Sequence, residues 1–183
     1  MHWLVTGRTG MGKGAIMKSI IIPGWLRRGV KVAVLDPLEM PGWGATFQTS
    51  DPEKFMYVVK RSRNIVTVID EYGDYDWQTK RDIQWCATIA RNFGQLHYAL
   101  AQRSMMVPPN VRNQCSNGII FRQQVADLAQ IADLYDEPLL NTAHTFEPGQ
   151  CLLMEALKKP IKMQVLLRSN KLLLPPPGVR RIG

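Results

Sequence analysis

The octapeptide GRTGMGKG, residues 7–14, has the residue types and spacing of a loop that holds phosphate. Gly7 is followed by four residues and then by Gly12 and Lys13. In such a loop the backbone N–H groups from Gly7 through Arg8, Thr9, Gly10, Met11, Gly12, Lys13, Gly14 and Ala15 can turn toward an anion. Glycine serves where the chain curls or must approach closely, and lysine pairs with β- and γ-oxygens. A helix beginning there adds its positive end. The eighth position of these loops normally brings a hydroxyl to Mg²⁺, which neither Gly14 nor Ala15 can do. Three readings stay open. Asp70, phosphates and water alone hold the metal, since Mg²⁺ keeps several waters; a hydroxyl from Thr9 or Thr6 substitutes; or the site binds nucleotide and hydrolyses it poorly.

A second stretch supplies acids. IVTVIDE, residues 65–71, is an apolar β-branched run ending in Asp70 and Glu71, with Asp70 57 residues after Lys13. In P-loop chemistry the first acid holds the Mg²⁺ water shell, and the second polarises the attacking water as a general base. The plainer reading is two acids ending a strand at the surface. A third stretch, HYALAQRS, places Gln102 at a strand end. There an amide can hydrogen-bond a γ-phosphate or the water, or simply face solvent.

These residues need elements to position them. Residues 2–6 (HWLVT) read as a strand running into the loop, and residues 14–28 as a helix with apolar spacing at Ile16, Ile20 and Ile21. Two arginines in its last turn suit the helix dipole. Residues 30–36 read as a buried parallel strand. Residues 37–52, rich in Gly and Pro, read as a long loop. Asp51–Pro52 opens a helix to about Arg61. Ile65–Ile69 is a strand, 77–93 a helix with Ile83, Ala87 and Ala90 on one face, and 94–104 and 117–122 are strands. Residues 123–135 are helical. Strand and helix alternate, which predicts an open, mostly parallel sheet covered on both faces. Residues 147–156 and 159–168 read as an antiparallel hairpin turning at Leu157–Lys158–Lys159. Residues 171–183 form a Pro-rich basic tail with no regular element expected, leaving 1–170 as one domain.

Charge is unevenly spread. The chain of 183 residues carries +8. Residues 1–63 hold ten basic and four acidic residues, 64–150 six basic and ten acidic, and 151–183 seven basic and one acidic. Basic ends around an acidic middle suit a polyanion or a membrane surface, or simply a solvated basic exterior. Cys86, Cys115 and Cys151 lack disulfide or zinc spacing and read as reduced, buried thiols, and the histidines are scattered. No apolar run reaches membrane-spanning length and no signal peptide is expected, so a soluble protein is predicted.

Taken together, GRTGMGKG, VIDEYGDY, ARNFGQLHYALAQRS and NGIIFRQQ, in that order across residues 2–135, resemble the FtsK/HerA superfamily of DNA-pumping P-loop ATPases. EPGQCLLME is similar to that group's late hairpin. The short form resembles the genome-packaging ATPases of membrane-containing, double jelly-roll viruses. The resemblance implies a RecA-like core that binds ATP and Mg²⁺ between subunits of a homo-oligomeric ring, usually a hexamer, and drives DNA through its channel. It implies a virion or host-cytoplasm location and a possible capsid or viral-membrane partner at a packaging vertex. It also carries a helix-end arginine acting on the neighbouring subunit's phosphoryl group onto Arg91, with Arg103 and Arg122 as rivals. DNA contact would be through phosphates, with residues 79–81 and the segment around Pro108–Arg112 as candidate pore segments. Lys158, Lys159, Lys171, Arg180 and Arg181 could meet a capsid or an anionic membrane instead. Gly14 departs from the pattern and bears on the metal hydroxyl, not on Lys13 or the acids.

Two other classes compete. A small-molecule kinase also joins a P-loop to a five-stranded core, but Asp70–Glu71 and Gln102 serve water better than a protected acceptor. A filamentous-phage-type assembly ATPase, or an assembly protein using nucleotide as structural glue, takes its support from Gly14.

Overall fold

The computed structural model describes residues 2–165 and 179–181. Strand β1 (Trp3–Thr6) feeds the glycine loop. Helix α1 (Lys13–Ile16) follows, runs through a π-helical turn at Met17–Ile21 and continues as α2 (Ile22–Arg27). The continuous helix expected over 14–28 is therefore widened in its middle. Pro23 has no N–H to return to the carbonyl four residues back, and the Ile22 N–H instead reaches Met17 O, five residues back. This shifts the apolar face: Ile16, Met17 and Ile22 are buried, whereas Ile20 and Ile21 are only partly so.

Next come β2 (Val32–Leu35), β3 (Phe47–Thr49), α3 (Pro52–Lys60) and β4 (Val66–Ile69). Strand β3 lies inside the stretch expected to be loop. Three residues are too few to show periodicity, and only pairing with β2 defines them. Asp51 caps α3 as its sequence suggests, accepting from the N–H groups of Glu53 and Lys54. The helix expected at 77–93 is α4 (Trp77–Ile83), α5 (Trp85–Thr88) and a 3₁₀ turn at Ala90–Phe93, with Ile83, Ala87 and Ala90 all buried on the sheet side. Then follow β5 (Leu96–Ala101), the short α6 (Pro109–Arg112), β6 (Asn117–Ile120) and α7 (Leu128–Tyr135). The helical stretch expected from residue 123 starts as a 3₁₀ turn at Val125–Asp127.

Strands β7 (Gln150–Met154) and β8 (Ile161–Val165) form the expected antiparallel hairpin. Strand β9 (Val179–Arg181) pairs antiparallel with β8, which corrects the expectation that the tail carries no regular element. An edge strand exposes unpaired N–H and C=O groups, and a returning chain end satisfies them. The rest of the tail, including Lys171, and the expected strand end at Arg168 lie outside the described residues.

The strand order is β3-β2-β4-β5-β1-β6-β7-β8-β9, parallel from β3 to β6 and antiparallel beyond. This is a RecA-like α/β core, mostly parallel and covered on both faces. One apolar layer packs Phe55, Val59, Ile83 and Ala87 under Leu4, Leu35 and Ile69. The other packs Ile16, Met17 and Ile22 against Val5, Val34, Val68 and Leu100. The three cysteines are free and buried. No helix among the described residues is long and apolar enough to cross a membrane.

Beneath the β4–β5 pair lies a polar cluster. His97 and His2 are fully or almost fully buried. The His97 N–H donates to His2 Nδ1 at 3.0 Å, and His97 Nδ1 lies 3.0 Å from Thr67 Oγ1. The Tyr72 ring meets His97 edge-on.

Candidate nucleotide site

The site is built at the carboxyl ends of the parallel strands, where open α/β sheets gather ligands. Gly7 has φ of 151°, and a Cβ there would come within 2.5 Å of Phe121 Cβ, so only glycine lets the loop leave β1 against β6. Gly12 stands in the left-handed region at φ 116° immediately before α1. These two glycines turn the chain between β1 and α1, and the N–H groups of Gly7, Arg8 and Met11 donate to the carbonyls of Ala101, Arg122 and Arg8.

Lys13 is almost wholly buried, and its Nζ donates to Gly7 O at 2.6 Å. The lysine spans the loop and holds its curl. Burial lowers its pKa, and the charges of Glu71 and Asp70 oppose that shift. A carbonyl is a poorer partner for an ammonium than a phosphate, so Lys13 is set to exchange one for the other. We expect Lys13→Ala to weaken ADP binding by roughly ten- to a hundredfold, the worth of one or two charge-assisted bonds. Fluorescence titration of ADP onto folded variant checks this, and unchanged affinity would remove Lys13 from the phosphate site.

Because β5 lies between β1 and β4, the loop and the acidic pair share one cavity of about 510 Å³. Thr9, Gly10, Gly12, Lys13, Gly14, Ala15, Lys18 and Ser19 line one side, and Leu38, Met40, Asp70 and Glu71 the other. Asp70 is pushed up to about 6, chiefly by burial and further by the charges of Glu71 and Asp36, against the Glu71 N–H that it accepts. Glu71 has φ of 43°, a left-handed conformation that costs a non-glycine residue about 1 kcal/mol and recurs at functional sites. This turn directs the chain away from the sheet immediately after the strand and sets Glu71 on the cavity wall.

Sequence reasoning missed what shapes the far wall. Asp36, fully buried at the end of β2, accepts from Leu38 N–H (2.9 Å), Met40 N–H (2.7 Å) and Trp43 Nε1–H (2.8 Å). Lys18 ties the helix to the same loop, donating to Pro41 O at 2.9 Å and lying 4.5 Å from the Trp43 ring centre. A polar residue ending an apolar strand was the one available signal for Asp36. Ser19 had none, because the π turn that brings it to the cavity is invisible to a helical period.

Gln102 directly follows β5, which pairs with β4, but it lines a neighbouring cavity of about 430 Å³ with Arg8, Thr9, Arg103, Met106 and Gln124. Thr9 is common to both cavities. Thr6 is fully buried with its hydroxyl unpartnered among the described residues, and it does not line the loop cavity. The three arginines separate. Arg103 makes a two-pronged pair with buried Asp127 at 2.8 and 2.9 Å. Arg122 follows β6, and its carbonyl accepts from Arg8 N–H. Arg91 is exposed before β5, at the end of the sheet opposite the glycine loop, with Gln114 Oε1 at 3.5 Å. Residues 79–81 sit in α4 and not in a loop, and 109–112 form α6. Lys158 and Lys159 are exposed at the hairpin turn, with Lys158 paired to Glu155 at 2.7 Å.

No protein-family model matches the sequence, and no curated protein matches it. Solved structures share its fold. The DNA-packaging ATPase B204 from Sulfolobus Turreted Icosahedral Virus superposes with a TM-score of 0.67 at 16% identity, over 83% of this chain and 90% of that one. The genome packaging NTPase B204 from Sulfolobus turreted icosahedral virus 2, in complex with ATP-gammaS, gives 0.70 at 18% identity, over 85% and 92%. The cytoplasmic domain of the Thermomonospora curvata Type VII secretion ATPase EccC gives 0.66 at 13% identity, over 92% of this chain and 24% of that one. The likeness carries the fold anticipated from the motifs, that of RecA-like P-loop ATPases.

Proposed function

We propose that this chain is an ATP-hydrolysing motor subunit of the FtsK/HerA type that packages DNA into a viral capsid. The observation that carries the reading is the meeting of Lys13 with Asp70 and Glu71 on one cavity, although 57 residues separate Lys13 from Asp70. The likeness to packaging ATPases, with 90% and 92% of the B204 chains covered, supports it.

In this reading the loop of residues 7–15 wraps the triphosphate, with the backbone N–H groups of Thr9, Gly10 and residues 12–15 toward it, and Lys13 moves from Gly7 O to the β- and γ-oxygens. The donors fit an in-line phosphoryl transfer to water, in which catalysis is positioning and charge stabilisation. Glu71 accepts the proton of the attacking water. Gln102 reaches the γ-phosphate or the water from beyond Thr9. Asp70 fits a divalent cation: it is a half-buried carboxylate with no ion-pair partner among the described residues, and it lines the same cavity as the phosphate-type loop. Mg²⁺ bound there would neutralise phosphate charge. Arg91, exposed and remote from its own loop, is free to serve a neighbouring subunit in a ring, whose six copies are taken from the family resemblance; Arg103, held by Asp127, is less free. Residues 1–170 form the ATPase unit, to whose sheet β9 adds an edge strand, and the basic residues of 171–183 serve DNA, capsid or membrane.

The test is phosphate release from the purified chain with ATP and Mg²⁺, with and without double- and single-stranded DNA. We expect DNA to raise turnover several-fold, with the gain eroded by salt because the contacts are to phosphates. Turnover indifferent to every DNA, or ADP release that needs a small-molecule acceptor, would sink the motor reading.

A further inference from the structure

The loop departs from its pattern at Gly14, and the structure supplies no conformational reason for glycine there. Gly14 lies within α1 and is absent from the residues with positive φ. A Cβ built on it meets nothing within 4 Å. At Gly7, by contrast, the added atom collides with Phe121. Any small side chain would fit at position 14, and most would suit the helix better than glycine does. Gly14 lines the same cavity as Asp70 and Glu71.

Of the other hydroxyls weighed, Thr9 and Ser19 line this cavity and Thr6 does not. Thr6 is buried outside the cavity lining. Ser19 is five residues farther along the helix than Gly14, roughly 7 Å by its rise. Thr9 lies on the part of the loop shared with the neighbouring cavity.

We propose that the space at Gly14 is filled by water, so that the chain holds a divalent cation beside bound nucleotide without any hydroxyl of its own, and holds it weakly. This rests on the nucleotide-site reading above. Its consequence is that nucleotide binding is nearly independent of Mg²⁺, and that a single oxygen restored at position 14 tightens the metal.

The experiment is titration of Mn²⁺ into the ADP complex, followed by electron paramagnetic resonance, together with ADP affinity measured with and without Mg²⁺. Wild type should bind ADP with less than about a threefold change on adding Mg²⁺. Gly14→Ser should bind Mn²⁺ roughly tenfold more tightly, the scale on which single groups around a metal act. Gly14→Ala, which fills the space without an oxygen, should not. Thr9→Ala and Ser19→Ala should leave Mn²⁺ affinity unchanged. Equal Mn²⁺ affinity for Gly14→Ser and Gly14→Ala overturns the proposal, as does a loss of affinity in Thr9→Ala or Ser19→Ala. Absence of ADP binding in wild type at any metal concentration overturns the nucleotide reading itself.

Discussion

Replacing Glu71 by glutamine is expected to cut ATP turnover by about 10²–10³-fold while leaving ATP affinity within about threefold. Glu71 shares the cavity wall with Asp70 and faces the loop that holds Lys13. Its left-handed backbone is maintained at a cost, and the Asp70 carboxylate fixes it by accepting the Glu71 N–H at 3.0 Å. Glutamine keeps the size and the backbone, so the wall and the loop stay as they are. What it removes is the capacity to accept a proton from water, a contribution of about 10²–10⁴ in general-base catalysis. Fluorescent-nucleotide titration and phosphate release, measured on one preparation, separate the two effects. Turnover above a tenth of wild type would remove Glu71 from the base role. A parallel loss of affinity would mean that the substitution had disturbed the loop, and the thermal melt would report it.

The parts of this site that could be read in the sequence are those whose spacing is covalent. Gly7, Gly12 and Lys13 are set by one tight loop, and Asp70–Glu71 by the end of one apolar strand. Their meeting follows from alternating strands and helices, because a parallel sheet brings all carboxyl ends to one side. The parts that stayed hidden depend on partners distant in sequence or on breaks in periodicity. Strand β3 exists only through β2, and β9 only through β8. The clasp of Asp36, Trp43 and Lys18 joins a loop to a helix across residues whose individual types announce nothing. The π turn shifts the register of every residue after Met17, so Ser19 enters the cavity while Ile20 and Ile21 turn partly outward. Gln102 shows the limit on a small scale. Its strand pairs with β4, yet its cavity is the neighbouring one, since a single residue's direction beyond a strand end is decided by local turn geometry.

Three scattered histidines looked inert in the sequence, but two of them make the fold acid-sensitive. His97 is pushed down to about 3 and His2 to about 4, both chiefly by burial. The charge of His2 adds to the shift at His97, and the N-terminus and Arg91 add to the shift at His2. Their neighbours offer little relief: the Thr67 hydroxyl, the Tyr72 ring edge and the buried Cys86 thiol carry no negative charge at neutral pH. The unfolded chain protonates both rings near pH 6.5, whereas the folded chain resists until far lower. The unfolded state therefore binds more protons between about pH 6.5 and 4, and stability falls as the pH falls through that window. Above about pH 6.5 both states hold neutral rings and this contribution is complete. Within the window each histidine removes up to about 1.4 kcal/mol per pH unit, so the pair costs about 4–5 kcal/mol between about pH 7 and 4.5. That approaches the whole stability of a typical domain, about 5–15 kcal/mol. Asp70, held at about 6 in the fold, takes up a proton in the same window and offsets part of this loss, so urea unfolding at about pH 7, 5.5 and 4.5 should show a midpoint that falls, and one that falls less in His97→Gln whatever that change does to stability at neutral pH. The same pH dependence in His97→Gln as in wild type would mean that the cluster opens to solvent or finds an acceptor on protonation, and the buried pair would lose its place in the energetics of the fold.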